Sequence, residues 1–278
     1  MRKIALLVSY DGSDFSGFQY QENAPSIQGT LEKAILAIFK EPIRISSCSR
    51  TDAGVHARGH VSHFETEARI PTDKIPLALN TQLPATVTVR KAAEVSQDFH
   101  ARFDPIEKCY SYSFYTGRTP VALWSRYATF VPATLDLEAM RAFIAAIVGT
   151  RDFKAFQASG SDCKGSTVRT IYQTRLSLDS RPEGDFYRFE IQGNGFLYNM
   201  VRIVVGTMIY IGQHKLRLED VLIGIEQKDR KVLGKTMPPQ GLCLEWVRYK
   251  DDLFNEAPLN EESLNEAPLN EAFLNDAP

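Results

Sequence analysis

The chain has 278 residues and 44% hydrophobic content, enough for a substantial core, and an apolar run such as residues 4–8 falls far short of the ~20 residues a membrane-spanning helix needs. Residues 1–3 lead into a strand-like segment rather than a signal-peptide core, and Cys48, Cys109, Cys163 and Cys243 are scattered without a C-x-x-C pair; a membrane span, a disulfide framework and a zinc knuckle are thereby set aside, and a cytoplasmic location is expected. The net charge of −2 hides an asymmetry: residues 251–278 hold eight of the 34 acids and no Lys or Arg, leaving 26 acids against 32 basic residues, a formal +6, for residues 1–250, which suits a polyanionic partner.

In chain order, residues 4–10 read as a strand, and Ile27, Leu31, Ala34, Ile35 and Ile38 mark one face of a helix that Ser26 can cap. A strand through 44–47 follows and 60–64 return beside it; Thr72-Asp73 opens a second helix through Leu79, and 86–90 form a closing strand. This β-α-β-β-α-β order is the ferredoxin-like pattern. Near Pro105 a second half begins with an alternating strand over 109–115, then a helix over 137–148 with Met140, Phe143, Ile144 and Ile147 on its apolar face. Strands around 168–178 and 186–192 come next; Gly193 and Gly195 turn the chain into a helix from about 197 to 211, a short helix covers 218–225, and 242–249 close as a strand. The pattern predicts an α+β fold of two related ferredoxin-like, RRM-like halves, 1–104 and 105–250, with mainly antiparallel sheet and an active-site cleft between them. From residue 254 the chain repeats with a period of five (FNEAP, LNEES, LNEAP, LNEAF, LNDAP). That period matches neither helix nor strand and prolines interrupt it, so 251–278 is expected to be a disordered acidic tail.

Polar residues crowd one connection between predicted strands: Asp52, with Arg50 before it and Gly54, His56, Arg58, His60 and His63 after it. On local grounds Asp52-Ala53-Gly54 is a turn whose charges face water. Arg202 adds a second clue, since it sits among Met200, Val201, Ile203, Val204 and Val205, and an arginine in such packing calls for a carboxylate partner, of which Asp52 is one candidate. Tyr110, Tyr112 and Phe114 share one strand face, with Tyr115 on the other; alternate aromatics either fill a core or stack unpaired bases. His56, His60 and His63 would suit a metal only on a helix, but Gly54 and Gly59 bracket the segment and no H-E-x-x-H pattern is present. Gly193-Asn194-Gly195 lacks the third glycine and the parallel setting of a dinucleotide loop, and Cys48 without a neighbouring base reads as packing.

Several segments, in order, resemble the tRNA pseudouridine synthase A family: Y-D-G-S-D-F-S-G-F-Q at 10–19, S-I-Q-G-T-L-E at 26–32, S-R-T-D-A-G-V-H-A at 49–57, F-H-A-R-F at 99–103, K-C-Y-S-Y at 108–112, S-T-V-R-T-I at 166–171 and G-F-L-Y-N-M-V-R at 195–202. The resemblance runs through nearly all of residues 3–250. It implies an isomerase that detaches uracil from its ribose and rejoins it through carbon 5 at positions 38, 39 and 40 of the tRNA anticodon stem-loop, without a cofactor. It further implies that Asp52 is the essential aspartate, that Tyr110 lies against the target base, that Arg202 pairs with the aspartate, that Arg50 helps displace the nucleotide, and that the protein is a homodimer. Phe18 stands where the family commonly has tryptophan and Cys243 where an aromatic often sits, departures that bear on packing. Two other classes remain beside it: a non-catalytic RNA-binding or RNA-chaperone module, and a metal-dependent hydrolase built on the histidines.

Overall fold

Strand β1 (Arg2–Tyr10) is buried without a break from Lys3 to Val8, the mark of a central strand covered on both faces. In the computed structural model, which describes residues 1–160 and 165–254, it is followed by helix α1 (Ile27–Phe39). Ser26 caps that helix: its Oγ accepts from the Gly29 N–H at 3.2 Å, satisfying one of the amides a helix start leaves unpaired. Strand β2 (Ser46–Ser47) is shorter than the expected 44–47, and β3 (His56–Thr66) is longer than 60–64. The second helix starts later than Thr72: a 3-10 turn, Thr72–Lys74, precedes α2 (Ile75–Asn80), whose Pro76 lies in the first turn, where a missing N–H costs nothing. Strand β4 (Val87–Val95) then completes the order β4-β1-β3, antiparallel throughout, with β2 antiparallel on the free side of β3.

The second half contains β5 (Glu107–Tyr115), β6 (Thr129–Phe130), α3 (Leu137–Ala146), β7 (Gly149–Asp152), β8 (Val168–Arg181), β9 (Gly184–Gly193), α4 (Met200–Gly212), α5 (Leu218–Glu226) and β10 (Leu242–Arg248). Helix α3 ends two residues before the expected 148, ahead of Gly149, which turns the chain at φ +108°. Helix α4 starts at Met200 rather than near 197 because Asn199 is left-handed, φ 59°. The strand order β10-β5-β9-β8 is again antiparallel and repeats the first half's arrangement, with β7 added at the edge.

The two sets form one mixed, mostly antiparallel ten-stranded sheet. They join where β10 runs parallel to the start of β3, pairing Cys243 with His56 and Leu244 with Ala57. Helix α2 packs on β4 and α1, while α4 packs on β5 and α3. Most buried side chains, from Ile4 and Leu6 to Val204 and Met208, belong to one continuous core. Among the described residues no helix is long and apolar enough to cross a membrane. Of the tail 251–278, expected to be disordered, residues 251–254 are placed, with Leu253 and Phe254 packed against the core and the Phe254 carbonyl accepting from Lys91, while 255–278 lie outside the described residues.

Candidate active site

Residues 48–55 leave the sheet between β2 and β3 as a loop, and the chain after β1 wraps it. The Thr51 carbonyl accepts from Phe18 N–H at 3.0 Å, the Phe15 carbonyl accepts from Gly54 N–H at 3.3 Å, and the Tyr10 hydroxyl meets Thr51 Oγ1 at 2.7 Å. The two backbones touch: a Cβ on Gly12 would lie 2.0 Å from the Val55 carbonyl oxygen, so the glycine in the 10–19 segment is a packing requirement. Within the loop Val55 N–H donates to the Asp52 carbonyl at 3.2 Å, closing the turn read from the sequence, and Gly54 takes the left-handed conformation, φ +76°. From the sheet side, Lys108 Nζ donates to the Cys48 carbonyl at 2.6 Å and to Ser49 Oγ at 3.1 Å, and His60 Nε2 donates to the Ser49 carbonyl at 3.0 Å.

Asp52 Oδ2 lies 3.1 Å from Arg202 Nη1, with the two side chains 27% and 15% exposed. The guanidinium is fixed independently of the carboxylate, since Nε donates to the Met237 carbonyl at 2.6 Å and Nη1 to Asn199 Oδ1 at 2.6 Å. Asn199 precedes α4 without capping it; its short polar side chain tolerates the left-handed backbone and turns to the arginine. Burial pushes the Asp52 carboxyl up and Arg202 pulls it down, by charge and by hydrogen bond; burial wins, leaving the group above its ordinary 3.8. Arg202 therefore limits a rise it does not cancel.

The segment 237–240 ties the loop to the second half. Besides the Met237 carbonyl on Arg202, the Pro238 carbonyl accepts from the Tyr112 hydroxyl at 2.7 Å, Pro239 packs against Gly54, and the Gln240 carbonyl accepts from His56 Nε2 at 3.1 Å. Of the aromatic stripe, Tyr112 and Phe114 are fully buried in the core, Phe114 stacked on Tyr187 with centroids 4.8 Å apart. Tyr110 reaches the loop: its hydroxyl donates to Ser49 Oγ at 3.4 Å, its ring meets Phe196 edge-on at 5.3 Å, and burial, with Asp52 among the contributing charges, pushes its phenol up. Arg50 is exposed and makes no ion pair or hydrogen bond among the described residues.

The three histidines do not converge. His56 Nδ1 accepts from Gly12 N–H at 3.2 Å; His60 is buried, stacked on Phe18 at 4.1 Å, and held by burial at about 4; His63 Nδ1 accepts from Ala101 N–H at 3.2 Å and is likewise lowered to about 4. Among the described residues no group of three or more His, Cys, Asp or Glu is placed to hold a metal ion. Cys48 is buried with its thiol pushed up, which disfavours the thiolate a nucleophile needs. Phe18 fills the core against His60, and Cys243 sits in the β3–β10 seam. The sequence reading passed over Lys108, Asn199 and segment 237–240. Lys108 carried a signal, a cation at the head of an apolar strand; backbone carbonyls carry none.

A family model for tRNA pseudouridine synthase matches residues 6–104 and 143–250. The chain is 41% identical over 249 residues to tRNA pseudouridine synthase A of Thermoanaerobacter sp. (strain X514), and 43% identical over 249 residues to that of Acetivibrio thermocellus, covering 90% of this chain and 100% of each relative. Identity to the same protein of Halalkalibacterium halodurans is 43% over 243 residues, 87% of this chain and 90% of that one. A solved Cbf5-Nop10-Gar1 complex overlays with a TM-score of only 0.36 at 10% identity, over 88% of this chain and 59% of that one, too loose to add weight. The match to the relatives spans the Asp52 loop, the Arg202 helix and the seam between them, and the chain belongs to the tRNA pseudouridine synthase A family of tRNA-modifying isomerases.

Proposed function

We propose that this protein converts uridine to pseudouridine at positions 38, 39 and 40 of the tRNA anticodon stem-loop, with Asp52 as its catalytic carboxylate. The observation that carries the reading is the pair Asp52–Arg202, 3.1 Å apart, in which a partly buried carboxylate on a braced loop faces an arginine from the other half of the chain. The reaction breaks the bond between uracil N1 and ribose C1′, forms one between C5 and C1′, and exchanges the C5 proton, lost to solvent, for one taken up at N1. It is neutral in electrons, so it asks for no electron sink and no cofactor. A fixed carboxylate serves it as nucleophile or as base toward the sugar, in a pocket that retains the detached base.

The target nucleotide must leave its stack to reach Asp52. In this reading exposed Arg50 fills the space it vacates and Tyr110 lies against the base. Residues 1–104 and 105–250 are related ferredoxin-like domains, a reading supported by the repeated strand order, and Asp52 and Arg202 face each other across their cleft. The active form is a cytoplasmic homodimer, because the anticodon arm and the tRNA elbow are far apart and two subunits grip both. Purified protein, with no metal or nucleotide added, is expected to release tritium from tRNA labelled at uridine C5, and mapping should place pseudouridine at 38–40. Tight tRNA binding without release would instead identify a binding module.

A further inference from the structure

Lys108, the second residue of β5, has its ammonium bound, among the described residues, to neutral oxygens, the Cys48 carbonyl at 2.6 Å and the Ser49 hydroxyl at 3.1 Å. It makes no ion pair among the described residues. Burial lowers its pKa, the Cys48 thiol opposes that, and two further cations, Arg102 and Arg169, add to the lowering. Strand register brings Arg169 toward Lys108. Lys108 lies opposite Gly193 of β9, Gly193 lies opposite Ile171 of β8, and Arg169 comes two residues earlier, its Nε 3.7 Å from where a Gly195 Cβ would stand. Arg169 Nη1 donates to the Ser166 and Val168 carbonyls, each at 2.7 Å. Arg102 is exposed in the turn leading into β5; the neighbouring Ala101 N–H donates to His63 Nδ1 on β3, opposite Ser46 of the strand that runs into Cys48, and the guanidinium lies over the Phe103 ring at 5.6 Å. Neither arginine has an acidic partner among the described residues. Elsewhere this sheet does pair its sheltered cation: Arg188 meets Glu190 at 3.1 Å and Glu245 at 3.0 Å. Two arginines around a largely buried ammonium, none of the three with an acidic partner among the described residues, form a cationic cluster that an anion with several acceptor oxygens would satisfy.

We propose that Arg102, Lys108 and Arg169 form a subsite for one backbone phosphodiester of the RNA beside the target nucleotide, with Lys108 linking that phosphate to the Cys48–Ser49 start of the Asp52 loop. The subsite rests on the tRNA reading above. Its test is tRNA affinity measured against KCl concentration for the wild type, R102A, R169A, K108M and, as a remote control, R217A. R102A and R169A are each expected to weaken binding, to reduce the slope of log affinity against log salt by about 0.7–0.9, and to raise KM more than they lower kcat. K108M should lose the same slope and also turnover at saturating tRNA, while its melting temperature holds or rises, because a buried unpaired charge has gone. R217A should behave as wild type. Wild-type slopes and KM in both arginine variants would overturn the subsite, as would a K108M protein that loses melting temperature and turnover but keeps its salt slope. Inorganic phosphate, added at constant ionic strength, should displace tRNA no better than chloride; displacement at low millimolar phosphate would assign the site to free phosphate instead. Tritium release by the same wild-type preparation separates the two readings: none would sink the tRNA assignment, whereas normal release with unchanged slopes would sink only the subsite.

Discussion

Replacing Arg202 with methionine removes the charge 3.1 Å from Asp52 and leaves the burial that raises its pKa. An arginine beside an aspartate lowers its pKa by about 1–3 units, or roughly 1.4–4 kcal/mol, so the carboxyl of the variant should rise by that amount from a value already above 3.8. A reaction that needs the ionised form gains activity as pH rises through the folded pKa. The acid limb of kcat should therefore move up by about 1–3 pH units, and the loss should be larger at pH 5 than at pH 8. Stability runs the opposite way. A carboxyl raised in the folded state favours folding at low pH, so between the unfolded value and the folded one the stability falls as pH rises, and R202M should widen that window. Initial rates of tritium release from pH 4.5 to 9, with tRNA affinity measured alongside, would show both effects. An R202M protein with normal turnover and an unmoved acid limb would refute the idea that Arg202 acts on the carboxylate.

His60 is held neutral at about 4 by burial, against 6.5 when free, so its contribution is intact above pH 6.5 and is lost as pH falls toward 4. Urea unfolding at pH 5 should show about 2 kcal/mol less stability than at pH 8 from this residue, and a curve flat over that range would contradict it. G12A drives a Cβ to 2.0 Å from the Val55 carbonyl oxygen and should cost about 1–3 kcal/mol while displacing the Asp52 loop, seen as lower turnover in the protein that remains folded. S26A removes the cap on Gly29 and should cost about 1 kcal/mol in urea unfolding without altering pseudouridine formation at 25 °C.

The element order of the first half, and of the second apart from the short edge strands β6 and β7, was legible because its signals are local: Ser26 ahead of an apolar face at 3.6-residue spacing, and alternation through Tyr110–Tyr115. Boundaries slipped where tertiary context decides. Arg44 and Ile45 have the look of a strand, yet only Ser46 and Ser47 find partners on β3. The parallel seam of β10 on β3 brings together residues distant in sequence, which no local pattern encodes. At the site, the apolar surroundings of Arg202 signalled its need for a carboxylate, while Asp52 stood out through its motif and not through its turn. The Met237 carbonyl that fixes Arg202 could not be read, because any residue supplies a carbonyl. Asn199 meets Arg202 only because a left-handed residue ahead of α4 turns its side chain to the guanidinium, a conformation no local pattern announces.

Tritium release from C5-labelled tRNA by the Asp52→Ala protein, with tRNA binding measured on the same sample, tests the role of Asp52 most directly. Release should be abolished while binding is retained, because the loop is held by Phe15, Phe18, Lys108 and His60 rather than by the carboxylate. An Asp52→Ala protein that keeps most of the wild-type release would contradict the assignment of the chemistry to this residue.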